Sequence, residues 1–343
     1  MELEGRFDGE VVRVAGDARQ RFHDASGYGY PLEGNEIALA PVEAAHLLFR
    51  ERIGVVADGE RLDFRSFLAR EPAEDFVVRY LVYADLRSRG FYLSPAREPW
   101  IEEPPDADFA VFPRGNGPDD GEVEYAVRAV GERASLPAGE LAEGVLAVVD
   151  EESEITYFER ARLEPSGTSG IDLPRGVEAD LLEDRVVVWN PPRELYERGF
   201  YGQPLEGRDY DRPTLQCSLV EAAFLADRGT IDLSTEAVVD RGRAVEGERF
   251  DRRLAVYGAL REAGTVPKTG YKFGADFRTY ADVESVEELG HSELLVRVLP
   301  ADHVFEPRDL ALDVRLAHGV RKTMSFALVG EGIDWWSLER LTP

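Results

Sequence analysis

Tyr280, His291 and Lys322, in the last quarter of the sequence, could together run acid–base chemistry. A phenol can accept a proton if nearby cations stabilise its anion. An imidazole can donate one near neutral pH, and an ammonium can hold developing negative charge. Such a set needs no metal. The lysine also stands out by composition: of 40 lysines and arginines only three are lysines, Lys268, Lys272 and Lys322. Taken singly, each residue has a plainer reading. A tyrosine ending a strand usually packs, a histidine before a strand is usually solvated, and a lysine after an arginine is usually a surface charge. Their case therefore depends on the elements that would position them.

Those elements are written twice. Tyr30-Pro31-Leu32-Glu33-Gly34 and Pro41-Val42-Glu43-Ala44-Ala45 recur as Gln203-Pro204-Leu205-Glu206-Gly207 and Leu219-Val220-Glu221-Ala222-Ala223. Val82–Gly90 recurs as Val256–Gly264, and Ile155–Glu159 as Ile333–Ser337. Matches in one order at a nearly constant offset indicate tandem duplication. Each unit opens with short β segments, such as Val11–Val14 and Val186–Trp189, and then a helix carrying Val-Glu-Ala-Ala. Helices are expected at Phe64–Ala69, Phe76–Arg89 and Arg249–Ala263, with Gly90 and Gly264 at the C-terminal cap position. Strands are expected at Phe109–Phe112, Tyr125–Val130 and Val145–Val149, and again at Asp276–Tyr280, Leu294–Leu299, Thr323–Val329 and Ile333–Leu341. The expected fold is α+β, a tandem duplication in which each repeat has a small front domain and a mixed-sheet back domain. The boundaries are 1–75, 76–166, 167–246 and 247–343, and Pro165–Gly170 reads as a flexible linker.

The copies differ where chemistry would sit. Aligning Asp108–Phe112 with Asp276–Tyr280 sets Phe112 against Tyr280, and aligning Glu122–Arg128 with His291–Arg297 sets Glu122 against His291. The Lys322 segment falls on Glu140–Gly144, which has no cation.

Composition bounds the rest. The 67 acidic residues against 40 basic ones give a net charge of −27. With so little lysine, this resembles adaptation to molar salt, where carboxylates keep a protein hydrated. Phosphate attraction is screened there, so a nucleic-acid partner would be held by stacking and directional hydrogen bonds. A single cysteine, Cys217, excludes an internal disulfide and a cysteine-built zinc site. No apolar run is long enough to span a membrane and the acidic N-terminus has no signal-peptide pattern, so a cytoplasmic setting is expected.

Gly270–Tyr280, His291-Ser292-Glu293 and Arg315–Lys322, in this order and spacing, closely resemble the archaeal tRNA-splicing endonucleases, and the duplication resembles the branch with two fused repeats per chain. Gly319 departs from the serine expected there. The resemblance implies a metal-independent tRNA-intron lyase without cofactor. Tyr280 would be general base, His291 general acid and Lys322 electrostatic stabiliser, and the first back domain would be catalytically silent. It further implies that Arg315 and Arg340 sandwich an extruded base, that precursor tRNA is the partner, and that the chain works as a homodimer. An acidic turn, here Asp150, Glu151, Glu152 and Glu154, would insert into a basic pocket of another unit. Lys272 and Lys268 would contact phosphate or pack, and His303 and His318 read as structural. Two other classes compete. A metal-dependent DNA nuclease would have to use Asp276 and Glu293, without an Asp…Glu-x-Lys pattern, and a non-catalytic RNA-binding scaffold would not need the trio.

Overall fold

A computed structural model describes residues 3–70, 73, 75–205 and 214–343; Glu206 and Gly207 of the repeat motif lie outside the described residues. The fold is an α+β tandem duplication. Each front domain is a small sheet against a helix, Pro41–Phe49 in the first copy and Leu219–Asp227 in the second. The glutamate of Val-Glu-Ala-Ala explains why that motif repeats. It is the third residue of its helix, and its carboxylate turns back to the cap: Ala40 N donates to Glu43 at 2.8 Å and Ser218 N to Glu221 at 3.3 Å. A carboxylate there also favours the positive end of the helix.

The long helices Phe76–Ser88 and Arg249–Glu262 lead into the back domains. Both end as expected on left-handed glycines, Gly90 at φ 90° and Gly264 at φ 75°. Two hydrogen bonds close each cap: Gly90 N to Arg87 O and Phe91 N to Leu86 O, both at 3.1 Å, in one, and Gly264 N to Arg261 O at 3.1 Å and Thr265 N to Leu260 O at 3.0 Å in the other. Each back domain contributes five strands with the same neighbours. The first has Leu93–Pro95, Phe109–Val111, Tyr125–Gly131, Gly144–Val149 and Ile155–Arg162. The second has Val266–Thr269, Phe277–Tyr280, Leu294–Pro300, Thr323–Val329 and Ile333–Leu341.

The two sets form one ten-stranded sheet, joined where Ile155–Arg162 pairs antiparallel with Ile333–Leu341. One face is split between two cores, each covered by its own long helix. The other face is a single core shared by Leu146, Val148 and Phe158 of the first copy and Leu295, Phe326 and Trp336 of the second. Burying a side chain of that size stabilises by about 1.5–3 kcal/mol, so the copies stabilise each other.

One expectation needs correction, and one element was not foreseen. Pro165–Gly170 is not a free linker. Gly167 N donates to Ala263 O, Thr168 N to Ala281 O and Ser169 N to Gly264 O, each at 2.8 Å. A Cβ at Gly167 would lie 2.4 Å from Gly264 O and 2.5 Å from Ala281 O, so the strap is pressed onto the second copy. The crossover at residues 301–322 also holds a helix that periodicity did not reveal, Pro307–Gly319, which covers the shared core. Proline at its first position suits a helix start. Its counterpart at residues 132–143 has no α-helix, only the two-residue strand Leu136–Pro137 and a 3-10 turn, Ala138–Glu140.

Candidate active site

Tyr280 ends its strand opposite Val266. Its ring is buried, 5.8 Å from the Phe200 ring, and the Arg278 guanidinium lies 5.8 Å from it. Two anchors hold this end of the strand. The strap fastens the next residues, with Val283 N donating to Ser169 Oγ at 2.7 Å. From the front domain, the Phe200 carbonyl is held by Lys268 Nζ at 3.1 Å.

Lys322 follows the crossover helix, and the helix end aims it. Lys322 N donates to Ala317 O and Arg321 N to His318 O, both at 3.0 Å. This is the double-bonded cap usually built on glycine. Here Arg321 takes the left-handed position at φ 58°. The Lys322 ammonium then donates to the carbonyl of Ser292 at 2.5 Å. His291, exposed, is the residue before Ser292, so one hydrogen bond couples the lysine to the histidine segment. Partial burial first, then the Arg278 charge, push the Lys322 ammonium below its ordinary pKa.

Glu293 ties the strands together: its N donates to Thr279 O at 2.9 Å, and its O accepts from Thr323 N at 3.0 Å. Tyr280 and Lys322 therefore flank Glu293 at one end of the sheet. At about 4.8 Å per strand their backbones are about 10 Å apart. The pairing of Met324 with Leu338 puts Arg340 next along the same row.

The first copy keeps this scaffold. Glu124 N donates to Val111 O at 2.8 Å, as Glu293 does to Thr279, so Phe112 occupies the place of Tyr280 and Glu122 that of His291. Gly144 pairs with Arg160 as Met324 pairs with Leu338, which assigns Ala142 to the place of Lys322 and Arg162 to that of Arg340. Arg162 is already engaged, 3.1 Å from Asp334 and 4.1 Å from the Trp336 ring. Arg340 has no such partner among the described residues.

Arg315 on the crossover helix and Arg340 meet in a groove of about 530 Å³, with Arg308, Arg133 and His318. His318, expected to be structural, is exposed and lines this groove, because it sits one helical turn after Arg315. Arg278, Arg308 and Arg133 were missed by sequence reasoning. Only Arg278 left a signal, two residues before Tyr280 in a strand and hence on its side of the sheet. His303 packs edge-on against Phe305 at 4.6 Å, as expected of a structural residue. Lys272 is exposed on the turn Tyr271–Phe273. Lys268 packs: it is bonded to the buried Glu221 at 2.8 Å. In the first copy Glu43 is instead met by the Trp100 indole N–H at 2.9 Å. Asp276 is buried and already held by two arginines and a backbone amide. One oxygen takes Arg249 at 2.6 Å and Arg253 at 3.1 Å, and the other accepts from Val298 N at 2.9 Å.

In the acidic turn, Asp150 accepts from Glu152 N at 2.9 Å and Glu154 N at 2.8 Å. Its carboxylate shapes the turn, leaving Glu151, Glu152 and Glu154 exposed, with Glu151 2.5 Å from Arg133. No helix among the described residues is long and apolar enough to cross a membrane.

Fold and site together define a class: a duplicated α+β chain in which one copy carries a tyrosine, a histidine and a lysine at one end of the sheet and the other only the scaffold. Comparison with known proteins narrows it. The catalytic C-terminal domain of the tRNA intron endonucleases matches residues 250–335, and their N-terminal domain matches twice, at 3–68 and 177–241. A tRNA-splicing endonuclease of Halobacterium salinarum is 59% identical over 348 residues, covering 99% of this chain and 100% of its own. One of Haloarcula marismortui is 58% identical, with the same coverage. One of Methanosarcina acetivorans is 36% identical, covering 99% of each chain. The chain belongs to the tRNA intron endonuclease family, and it is an enzyme of that family.

Proposed function

We propose that this enzyme cuts precursor tRNA at bulge–helix–bulge intron boundaries without a metal ion, leaving 2′,3′-cyclic phosphate and 5′-hydroxyl ends. The observation that carries this reading is the contrast along one row of the sheet. Tyr280 and Lys322, with His291 coupled to the lysine, stand in the second copy where Phe112, Ala142 and Glu122 stand in the first. Tyr280 takes the proton from the 2′-hydroxyl, whose oxygen attacks the adjacent phosphorus. Lys322 holds the charge that builds on the non-bridging oxygens. His291 protonates the departing 5′-oxygen as the P–O5′ bond breaks. Arg278 lies beside the Tyr280 ring, its guanidinium 5.8 Å from the ring centre. The exposure of Arg315 and Arg340 on one groove supports their sandwiching an extruded base, and Lys272 would meet phosphate.

The working form is a homodimer in the cytoplasm, whose two equipped copies match the two cuts in the substrate. The preformed turn at Asp150, Glu151, Glu152 and Glu154 would dock into a basic pocket of the second chain. The relatives' name, tRNA-splicing endonuclease, supports the substrate class. The test is cleavage of a bulge–helix–bulge RNA in molar salt with excess EDTA. Full activity with cyclic-phosphate ends is expected, and activity lost with EDTA and restored by magnesium would overturn the reading. Light scattering should give twice the 38.3 kDa chain mass.

A further inference from the structure

The turn beside the trio carries a side chain that the mechanism above leaves unused. Tyr271 is 86% exposed, more than any other large apolar residue among the described ones; Phe49 follows at 61%. A single exposed aromatic is ordinary. This one sits on a turn whose backbone is braced. Phe273 N donates to Gly270 O at 2.8 Å and Gly270 N to Asp276 O at 3.1 Å. Gly274 is left-handed at φ 69°, and a Cβ at Gly270 would lie 2.8 Å from Ala275 O. The turn faces the site, for the Phe273 ring lies 5.9 Å from Lys322 Nζ.

The first copy shows the alternative. There residues 96–107 replace the short turn, and their aromatic residue, Trp100, folds inward, 8% exposed and bonded to Glu43. In the second copy Lys268 satisfies the matching Glu221, so nothing draws the turn's aromatic inward. The copy with the trio is thus the one that presents a bare ring beside it. In molar salt, phosphate attraction is screened while stacking is not.

We propose that Tyr271 is a positioning residue that stacks on a nucleobase next to the phosphate held at Lys322. This rests on the function proposed above. The test is steady-state cleavage of a bulge–helix–bulge RNA in molar salt by wild type, Tyr271→Ala and Tyr271→Phe. Binding of an uncleavable 2′-deoxy analogue with 2-aminopurine beside the cut site is followed in parallel. Tyr271→Ala should raise KM and the analogue's Kd about 5- to 150-fold, the loss of one stacked base. Tyr271→Phe should stay near wild type, and 2-aminopurine quenching should disappear only with alanine. Unchanged KM and quenching in Tyr271→Ala would overturn the proposal. A raised KM accompanied by a changed particle mass would also overturn it, in favour of a protein contact. If wild type leaves this RNA uncut, the functional reading itself fails, an outcome separate from either.

Discussion

The two back domains share strand order, register and even the aspartate that fastens the second strand to the third. Asp108 accepts from Ala129 N at 2.8 Å, as Asp276 does from Val298 N at 2.9 Å. Besides the turn after the first strand, they part at one crossover. The first copy passes through residues 132–143 without an α-helix, and the second winds 13 residues into Pro307–Gly319. That helix carries Arg315, lines the groove and ends in the cap that aims Lys322. The first copy therefore lacks this helix as well as the three side chains, so restoring the side chains alone should not restore a site.

The largest effects test this directly. His291→Ala and Lys322→Ala should each lower single-turnover cleavage about 10²- to 10⁴-fold, the usual worth of a proton-transfer group or a charge stabiliser. Phe112→Tyr, Glu122→His and Ala142→Lys, made together in a His291→Ala background, should recover nothing. Recovery would mean that the crossover helix is dispensable.

Next come the buried glutamates. Lys268→Met leaves Glu221 unpaired and should cost about 3–5 kcal/mol in denaturant melts. Ser94→Ala, at the matching place in the first copy, should change stability far less. The two glutamates should also respond oppositely to pH. Burial raises the Glu43 pKa above its ordinary 4.5 against the hydrogen bonds from Gly29 and Ala40. For Glu221 burial is again the largest influence, but Lys268 and its companions outweigh it and the net shift is downward. A lowered carboxylate stabilises above pH 4.5 and loses that contribution as pH falls through its folded value. A raised one stabilises below pH 4.5 and loses its contribution as pH rises through its folded value. Thermal melts should thus show Glu43→Gln gaining on wild type as pH rises above 4.5. Glu221→Gln should lose most above 4.5, with the gap closing below it. Parallel curves for the two variants would contradict this account.

Smaller effects are expected at the groove. Arg315→Ala and Arg340→Ala should each raise KM about 5- to 150-fold if they hold a base. Arg162→Ala, already bound to Asp334 and Trp336, should leave KM alone and lower only the melting temperature. Equal KM changes for Arg162 and Arg340 would erase the distinction between the copies. The smallest effect belongs to the helix cap. Arg321→Gly should keep activity and gain up to about 1 kcal/mol, because glycine takes a left-handed backbone without strain, whereas Arg321→Val should lose about 1–2 kcal/mol and slow cleavage. A slowed glycine variant with an unchanged melt would show that the arginine side chain acts in the site.

The sequence by itself determined that the chain is a duplication, that it is α+β, and that Tyr280, His291 and Lys322 have no chemical counterparts in the first copy. Duplication is visible because equal residues recur at one offset. The missing counterparts follow from the same alignment, since Phe112 and Glu122 can be read against Tyr280 and His291 without coordinates. Only the tertiary structure decided that the two sheets fuse through Ile155–Arg162 and Ile333–Leu341, because pairing between strands far apart in the chain leaves no mark in local periodicity. Only it decided that Pro165–Gly170 is fastened, since glycine and serine read as loose until the carbonyls of Ala263, Gly264 and Ala281 are seen to hold them. The job of Lys268 depended on a glutamate in another domain, and the groove at Arg315 and Arg340 on a helix laid across a strand. Side-chain types are local facts and sequence carries them; their partners are set by packing between distant segments, and that is decided in three dimensions.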